Sequence, residues 1–322
     1  MTSKAAAHAT APTLLMVGLG RMGANMARRL ASKGATVHGY DPAAAARAAM
    51  TETSAQFPVT LHEQFPDAVA ALPSPRIVWL MLPAGNVTAQ TIEQIATMLD
   101  RGDVVVDGGN ANYLDAQPRS AALSGQGIEF VDCGVSGGVW GLQNGYCLMY
   151  GASADAAKRV APIMRLLAVS ADDGWLHCGP VGAGHFTKMI HNGIEYGMMQ
   201  SLAEGFALMS GQPDFDLPLA RIGELWRHGS VVRSWLLDLT ADALKDPQAL
   251  DQLAPIVADS GEGRWTLDES VRQGTPAPVI AMALMTRFAS QGKADTGNKL
   301  LALMRKGFGG HATTTTPKAD GG

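Results

Sequence analysis

The sequence predicts an α/β chain in which a parallel sheet wound with helices is followed by an all-helical half. Three observations predict it. Short apolar runs alternate with helix-patterned segments from Leu14 to Cys178, as parallel strands joined by crossover helices do. From Gly179 onward only helical periodicity remains. Glycine-rich turns follow several of the runs, at the strand ends where such a sheet binds ligands. The expected organisation is a disordered lead over 1–13, the sheet domain over 14–178, the helical domain over 179–311 and a disordered tail over 312–322.

Composition sets the outer bounds. A chain of 322 residues suggests about two domains. A net charge of −4, with no Lys/Arg run, argues against a nucleic-acid partner. No apolar stretch reaches the roughly 18 residues that span a membrane, so no membrane partner is expected. The lead lacks the apolar core of a signal peptide. Cys133, Cys147 and Cys178 have neither metal-ligand nor disulfide spacing, which suits reduced thiols in a cytoplasmic protein with no bound metal. The 16 methionines read as core filler.

The first run, Leu14 to Val17, leads into Gly18-Leu19-Gly20-Arg21-Met22-Gly23 and then a helical segment. Strand, Gly-x-Gly-x-x-Gly and helix in that order form the Rossmann dinucleotide fingerprint. Its glycines allow a tight turn and bring backbone close to a pyrophosphate at the helix N-terminus. A second strand, Ala35 to Tyr40, ends at Asp41, about 20 residues after the glycines, where a carboxylate binds ribose hydroxyls. Asp41 also fits a turn or cap before Pro42. The carboxylate would repel a 2′-phosphate, so NAD is expected in preference to NADP, with Arg47 on a solvated helix face.

Strands over Arg76 to Met81 and Asp103 to Asp107 follow, with a helix over Val87 to Leu99 between them. Leu82, Pro83, Ala84 and Asn110 then occupy strand ends facing the cofactor; Gly108-Gly109 also fits an ordinary turn. After a strand over Ile128 to Cys133 comes a loop from Gly134 to Gly141 containing Ser136-Gly137-Gly138. That loop either offers N–H groups and a hydroxyl to an anion or is a plain turn. A strand over Tyr146 to Tyr150, a helix over Ala154 to Leu167 and a last strand over Trp175 to Cys178 close this half.

The helical half opens on the segment that organises the chain, a long helix from Gly182 to Leu202 carrying Lys188, His191, Asn192 and Glu195. Positions seven apart return to nearly the same direction, so Lys188 and Glu195 share a face roughly 10 Å apart along the axis. Met189, Ile190, Met198, Met199 and Leu202 read as core. An i, i+7 Lys/Glu pair also suits a solvated face. Gly182, Gly184, Gly193 and Gly197 favour the other reading, since each Gly costs roughly 1 kcal/mol in a helix and marks close approach. Further helices are expected over 217–226, 232–239, 247–258, 267–273, 278–290 and 298–305, with Asp259 to Thr266 breaking the pattern.

On these residues the chain resembles the short, single-unit branch of the decarboxylating 6-phosphogluconate dehydrogenases, within the β-hydroxyacid dehydrogenases. The segments that carry the resemblance are Gly18 to Gly23, Asp107 to Asn110, Val135 to Gly138, Lys188 to Tyr196, Gly263 to Thr266, and Arg305 with Phe308 to His311. The resemblance implies oxidative decarboxylation of 6-phospho-D-gluconate to D-ribulose 5-phosphate and CO2 with NAD, in the pentose phosphate pathway. It implies Lys188 as general base and Glu195 as general acid. Asn110, Ser136, Gly137, Gly138, His191 and Asn192 would position the sugar acid. Tyr196, Arg287, Arg305 and His311 would hold the phosphate or distal hydroxyls. It also implies a homo-oligomer, dimer or tetramer, whose C-terminal residues reach a neighbouring site. One departure stands out. Where long members carry a Lys before this loop, the chain has Asp259-Ser260-Gly261-Glu262, with Arg264 as the nearby cation.

Two rivals are weighed. An enzyme similar to 3-hydroxyisobutyrate dehydrogenase shares the fold, the Ser-Gly-Gly loop and a catalytic Lys, but has no use for an acid at Glu195. A non-catalytic sugar-phosphate or nucleotide sensor would have no need of both Lys188 and Glu195.

Overall fold

The computed structural model describes residues 11–52, 57–309 and 312–314; His311 and most of the expected lead and tail lie outside the described residues. The chain divides into two compact units, Met1–Ile190 and His191–Gly322.

In the first unit the elements run β1 Thr13–Val17, α1 Arg21–Ser32, β2 Thr36–Tyr40, α2 Ala44–Thr51, β3 Val59–His62, α3 Phe65–Ala70, β4 Ile77–Leu80 and α4 Asn86–Ala96. They continue with β5 Val104–Asp107, α5 Ala116–Ser124, β6 Glu129–Ser136, α6 Gly141–Asn144, β7 Cys147–Gly151, α7 Ala154–Leu167, β8 Trp175–Gly179 and the start of α8 Ala183–Ser210. The eight strands form one sheet in the order β3-β2-β1-β4-β5-β6-β7-β8. Every pair is parallel except β6 with β7, where Ser136 faces Cys147 and Asp132 faces Gly151.

Both faces of the central strands are covered, which explains why β1, β4 and β5 read as continuous apolar runs rather than alternating ones. Leu14 and Met16 of β1 pack with Met26, Leu30, Val160 and Ile163 on one face. Leu15 and Val17 pack with Phe65, Val69, Ile92 and Ile95 on the other. The strand order reverses between β1 and β4, which opens a crevice beyond their C-terminal ends.

The second unit holds the remainder of α8, then α9 Leu219–Trp226, α10 Trp235–Ala243, α11 Pro247–Asp251, α12 Glu262–Gln273, α13 Pro278–Ser290 and α14 Asp295–Gly309. A Cβ on Gly223 would lie 3.1 Å from Ala241, so α9 and α10 pack closely. A small buried cluster of Tyr196, Ala283 and Leu284 joins α8 to α13.

Several expectations are corrected. Thr13 belongs to β1 rather than to the lead. β6 continues through Ser136, because its pairing with β7 extends three residues beyond Cys133, so the loop starts only at Gly137. The helix expected over 247–258 stops at Asp251. The expected break ends early: Gly261, at φ +106°, turns the chain and α12 begins at Glu262, so Glu262 to Thr266 are helical. Met198 and Met199 are 42% and 40% exposed rather than core, since they lie on a side of α8 that other described elements of this unit leave uncovered.

Candidate active site

The nucleotide loop sits in the crevice opened by the strand reversal. Gly18 follows β1 with φ +91°, a conformation that costs an L-residue energy, and a Cβ there would stand 2.5 Å from the Met81 carbonyl. A Cβ on Gly23 would overlap the Gly18 carbonyl, so α1 starts against the turn itself. Gly20 precedes α1 and has no heavy atom within 4 Å of where its Cβ would be. No side chain caps α1 and no acid occupies its first turn. Free N–H groups, the positive end of the helix dipole and open space make an anion cradle of the kind a pyrophosphate fills. Leu19 is buried, Met22 packs partly against the core, and Arg21 is exposed.

Asp41 fits the turn and cap reading. Its Oδ2 accepts from Leu19 N at 2.8 Å, fixing the glycine turn, and its Oδ1 accepts from Ala43 N at 2.8 Å, capping the next turn. Arg47 does not lie free on a solvated face. Its Nη1 donates to the Asp41 carbonyl at 2.6 Å and to the Pro42 carbonyl at 3.2 Å, because the side chain folds back over the turn that precedes its own helix. At the end of β4, Leu82, Pro83 and Ala84 run to Thr88, whose hydroxyl donates to the Pro83 carbonyl at 2.8 Å. At the end of β5, buried Asp107 accepts from Arg119 at 2.6 Å and from Gly109 N at 3.2 Å, which supports the turn carrying exposed Asn110.

Lys188 is placed by backbone contact. A Cβ on Gly134 would overlap the Lys188 side-chain stem, so α8 lies directly on β6 at this point. Ser136 is two residues further along β6, on the same face by strand alternation. Gly137 and Gly138 turn away at φ +127° and +52°. Cys147 faces Ser136 across the β6–β7 ladder. Burial pushes its thiol pKa up and the Lys188 charge pulls it back.

Helix α8 is unbroken over its 28 residues, so Lys188 and Glu195 project to the same side of it. Past Ile190, Asn192 is 8% exposed while the side chains of His191 and Glu195 are 39% and 41% exposed. The polar face is therefore buried only in part within a single chain. His191 Nδ1 lies 3.2 Å from Asn192 Oδ1 and 3.9 Å from Glu195 Oε2. A Cβ on Gly193 would stand 2.6 Å from Thr266, which brings α12 against this turn.

The residues assigned to the phosphate end meet in part. The Arg287 guanidinium stacks 3.5 Å from the Tyr196 ring centroid and donates to the Ala258 carbonyl at 3.1 Å. The Tyr196 hydroxyl lies 3.4 Å from Asp259 and 3.5 Å from Ser260. Arg264 Nε pairs with Asp259 at 2.5 Å, so the cation offered in place of the family's lysine is engaged by the neighbouring acid. Arg305 is exposed on α14, and His311 lies outside the described residues. Among the described residues no group of three or more His, Cys, Asp or Glu could hold a metal ion, and no helix is long and apolar enough to cross a membrane.

A wound sheet with an open anion cradle at its first turn, feeding a helix that carries a lysine against the sheet, defines a dinucleotide-dependent dehydrogenase. The chain belongs to the 6-phosphogluconate dehydrogenase family. Residues 13–178 match the NAD-binding domain of 6-phosphogluconate dehydrogenase and residues 184–315 match the family's C-terminal domain. It is 36% identical to the NAD(+)-dependent, decarboxylating 6-phosphogluconate dehydrogenase of Haloferax volcanii, over 92% of this chain and 96% of that one. Its structure is similar to that of Plasmodium falciparum 6-phosphogluconate dehydrogenase, with a TM-score of 0.83 and 27% identity, covering 96% of this chain and 67% of the other. The fold is shared with Mycobacterium tuberculosis 3-hydroxyisobutyrate dehydrogenase, at a TM-score of 0.69 and 23% identity over 89% of this chain and 94% of that chain.

Proposed function

We propose that this chain oxidises and decarboxylates 6-phospho-D-gluconate to D-ribulose 5-phosphate and CO2 with NAD, using Lys188 as base and Glu195 as acid. The observation that supports the assignment of roles is the seven-residue spacing of an amine and a carboxyl group along helix α8. When bound, NAD supplies the acceptor for the hydride that leaves C3. Gly18 to Gly23 would cradle its pyrophosphate and Asp41 would face its ribose, with Leu82 to Ala84 and Asn110 lining the nicotinamide end.

Lys188 takes the proton of the C3 hydroxyl as C3 is oxidised to a ketone. An unperturbed lysine is protonated at neutral pH, so the pocket must favour the free amine at this step. The ammonium that results donates a hydrogen bond to the new ketone oxygen. That bond stabilises the enolate as the C1 carboxylate leaves as CO2. Glu195 then protonates C1 of the enediol, giving the ketopentose. Ser136, Gly137, Gly138, His191 and Asn192 orient the sugar acid. Tyr196 and Arg287 meet its phosphate end, and Arg305 and His311 act there from a neighbouring copy.

The active form is a homo-oligomer. Support comes from the apolar surface of the helical unit, where Leu208 is 77%, Val231 101%, Val279 64% and Met282 65% exposed. Exposed apolar side chains of this kind suit a surface that another copy covers. The three free thiols suit a reducing, cytoplasmic setting.

The test is an assay of NADH formation and CO2 release with 6-phosphogluconate and gluconate, each with NAD and NADP. Equal amounts of both products from the phosphorylated acid with NAD are expected. NADH without CO2 would point to a simple hydroxyacid dehydrogenase, and no turnover at all to a sensor.

A further inference from the structure

Helix α8 has no cap of its own. It starts at Ala183, and the residue before it, Gly182, has no side chain and sits at φ +96°. The first N–H groups of any helix need acceptors, which a Ser, Thr, Asp or Asn at the cap commonly supplies. Here Asp132 supplies them from β6. Its Oδ1 accepts from Gly182 N at 2.6 Å and its Oδ2 from His185 N at 2.7 Å, contacts separated by 50 and 53 positions in the chain.

Asp132 is fully buried, at 0% exposure. A Cβ on Gly184 would overlap the Asp132 carbonyl, and one on Gly151 would stand 2.6 Å from Asp132 Oδ1. Helix, β6 and β7 thus meet backbone to backbone around this carboxylate. Two residues further along β6 is Gly134, against which the stem of Lys188 lies. One helical turn past His185 is Lys188 itself. Burial pushes the Asp132 carboxyl pKa up, and His185 together with the two N–H bonds pulls it back.

We infer that Asp132 is the positioning residue for Lys188, holding the base against the sheet by capping α8 from β6. The inference rests on the reading of Lys188 as the base. A lysine amine rides on a flexible four-carbon stem, so its placement depends on where that stem begins. A displacement of about 1 Å can cost on the order of a hundredfold in rate. The carboxylate is the group that fits, because each oxygen faces an N–H. The amide of Asn has nearly the same shape but would turn an NH2 toward one of those donors, so one anchor would be lost while the volume stayed filled.

The test compares Asp132→Asn with Lys188→Ala in the full chain. Asp132→Asn is expected to lower kcat roughly ten- to a hundredfold, with the KM for NAD within about twofold. The deuterium isotope effect on C3 of 6-phosphogluconate should rise as hydride transfer becomes limiting, a change that mere loss of stability would not produce. If Lys188→Ala is inactive while Asp132→Asn keeps its kcat and isotope effect, the positioning role is overturned and the base assignment stands. If Lys188→Ala still transfers hydride, the base assignment itself has failed. Amide exchange on the wild-type chain tests the anchor even if Asp132→Asn does not fold. Gly182 and His185 are expected to exchange as slowly as the interior of β6, and fast exchange at both would overturn the inference.

Discussion

The two units differ in how completely each is finished within one chain. The first closes on itself: a sheet covered on both faces, with residues such as Leu14, Leu15, Val105 and Ile163 at 0% exposure. The second has a small buried cluster of Tyr196, Ala283 and Leu284 and a broad apolar exterior. It also contains a groove of about 570 Å3 lined by Ile194, Met198, Leu202, Phe206, Val232 and Val279 among others. On the proposed reading, the difference divides the work: nucleotide binding belongs to a single chain, and turnover is expected to need a second copy.

The largest expected effect separates chemistry from binding on α8. Glu195→Gln should slow steady-state turnover about 10²–10⁴-fold, with NAD affinity unchanged when followed by fluorescence titration. The next separates the units. Val279→Asp places a charge in the groove and is expected to shift the oligomer to monomer in sedimentation. Turnover should fall at least about tenfold by loss of the neighbour's contribution, while NAD binding persists, since burying an unpaired charge is strongly unfavourable. A monomer of full activity would remove the contrast between the units.

Gly18→Ala acts on the finished unit. The strained φ and the Met81 carbonyl 2.5 Å from the new Cβ should cost about 1–3 kcal/mol. That weakens NAD roughly tenfold or more without altering the oligomer. The smallest effect concerns His38 on β2, whose Nδ1 lies 2.9 Å from His62 Nε2. Burial first, and then the neighbouring imidazole, hold its pKa below the ordinary value. The unfolded chain therefore takes the proton more readily, so the stability present above about pH 6.5 is lost as pH falls below it. In thermal melts, His38→Gln should show a flatter loss of Tm on acidification than the wild type.

How much was legible in the sequence follows the same division. β1, β4 and β5 were readable because strands buried on both faces are largely apolar, and α7 and α13 because their helical periodicity runs their length. β3 and α3 were missed, since four residues such as Val59 to His62 carry too little pattern. The extension of β6 to Ser136 was hidden because its reason is a partner strand, not its own glycine-bearing sequence. The glycine fingerprint, Lys188 and Glu195 were legible as motif and spacing. Asp132 was not, because a cap supplied across 50 positions leaves no local trace. Nor was the exposure of Met198 and Met199, since an apolar residue reads the same in the sequence whether or not another element covers it.

The central claim is that Lys188 and Glu195 act in succession from one helix. Single-turnover stopped-flow with 6-phosphogluconate, following NADH in Lys188→Ala and Glu195→Gln, tests it most directly. Glu195→Gln should form NADH in the first turnover and then stall, whereas Lys188→Ala should form none. NADH formation by Lys188→Ala, or unimpaired repeated turnover by Glu195→Gln, would contradict the account.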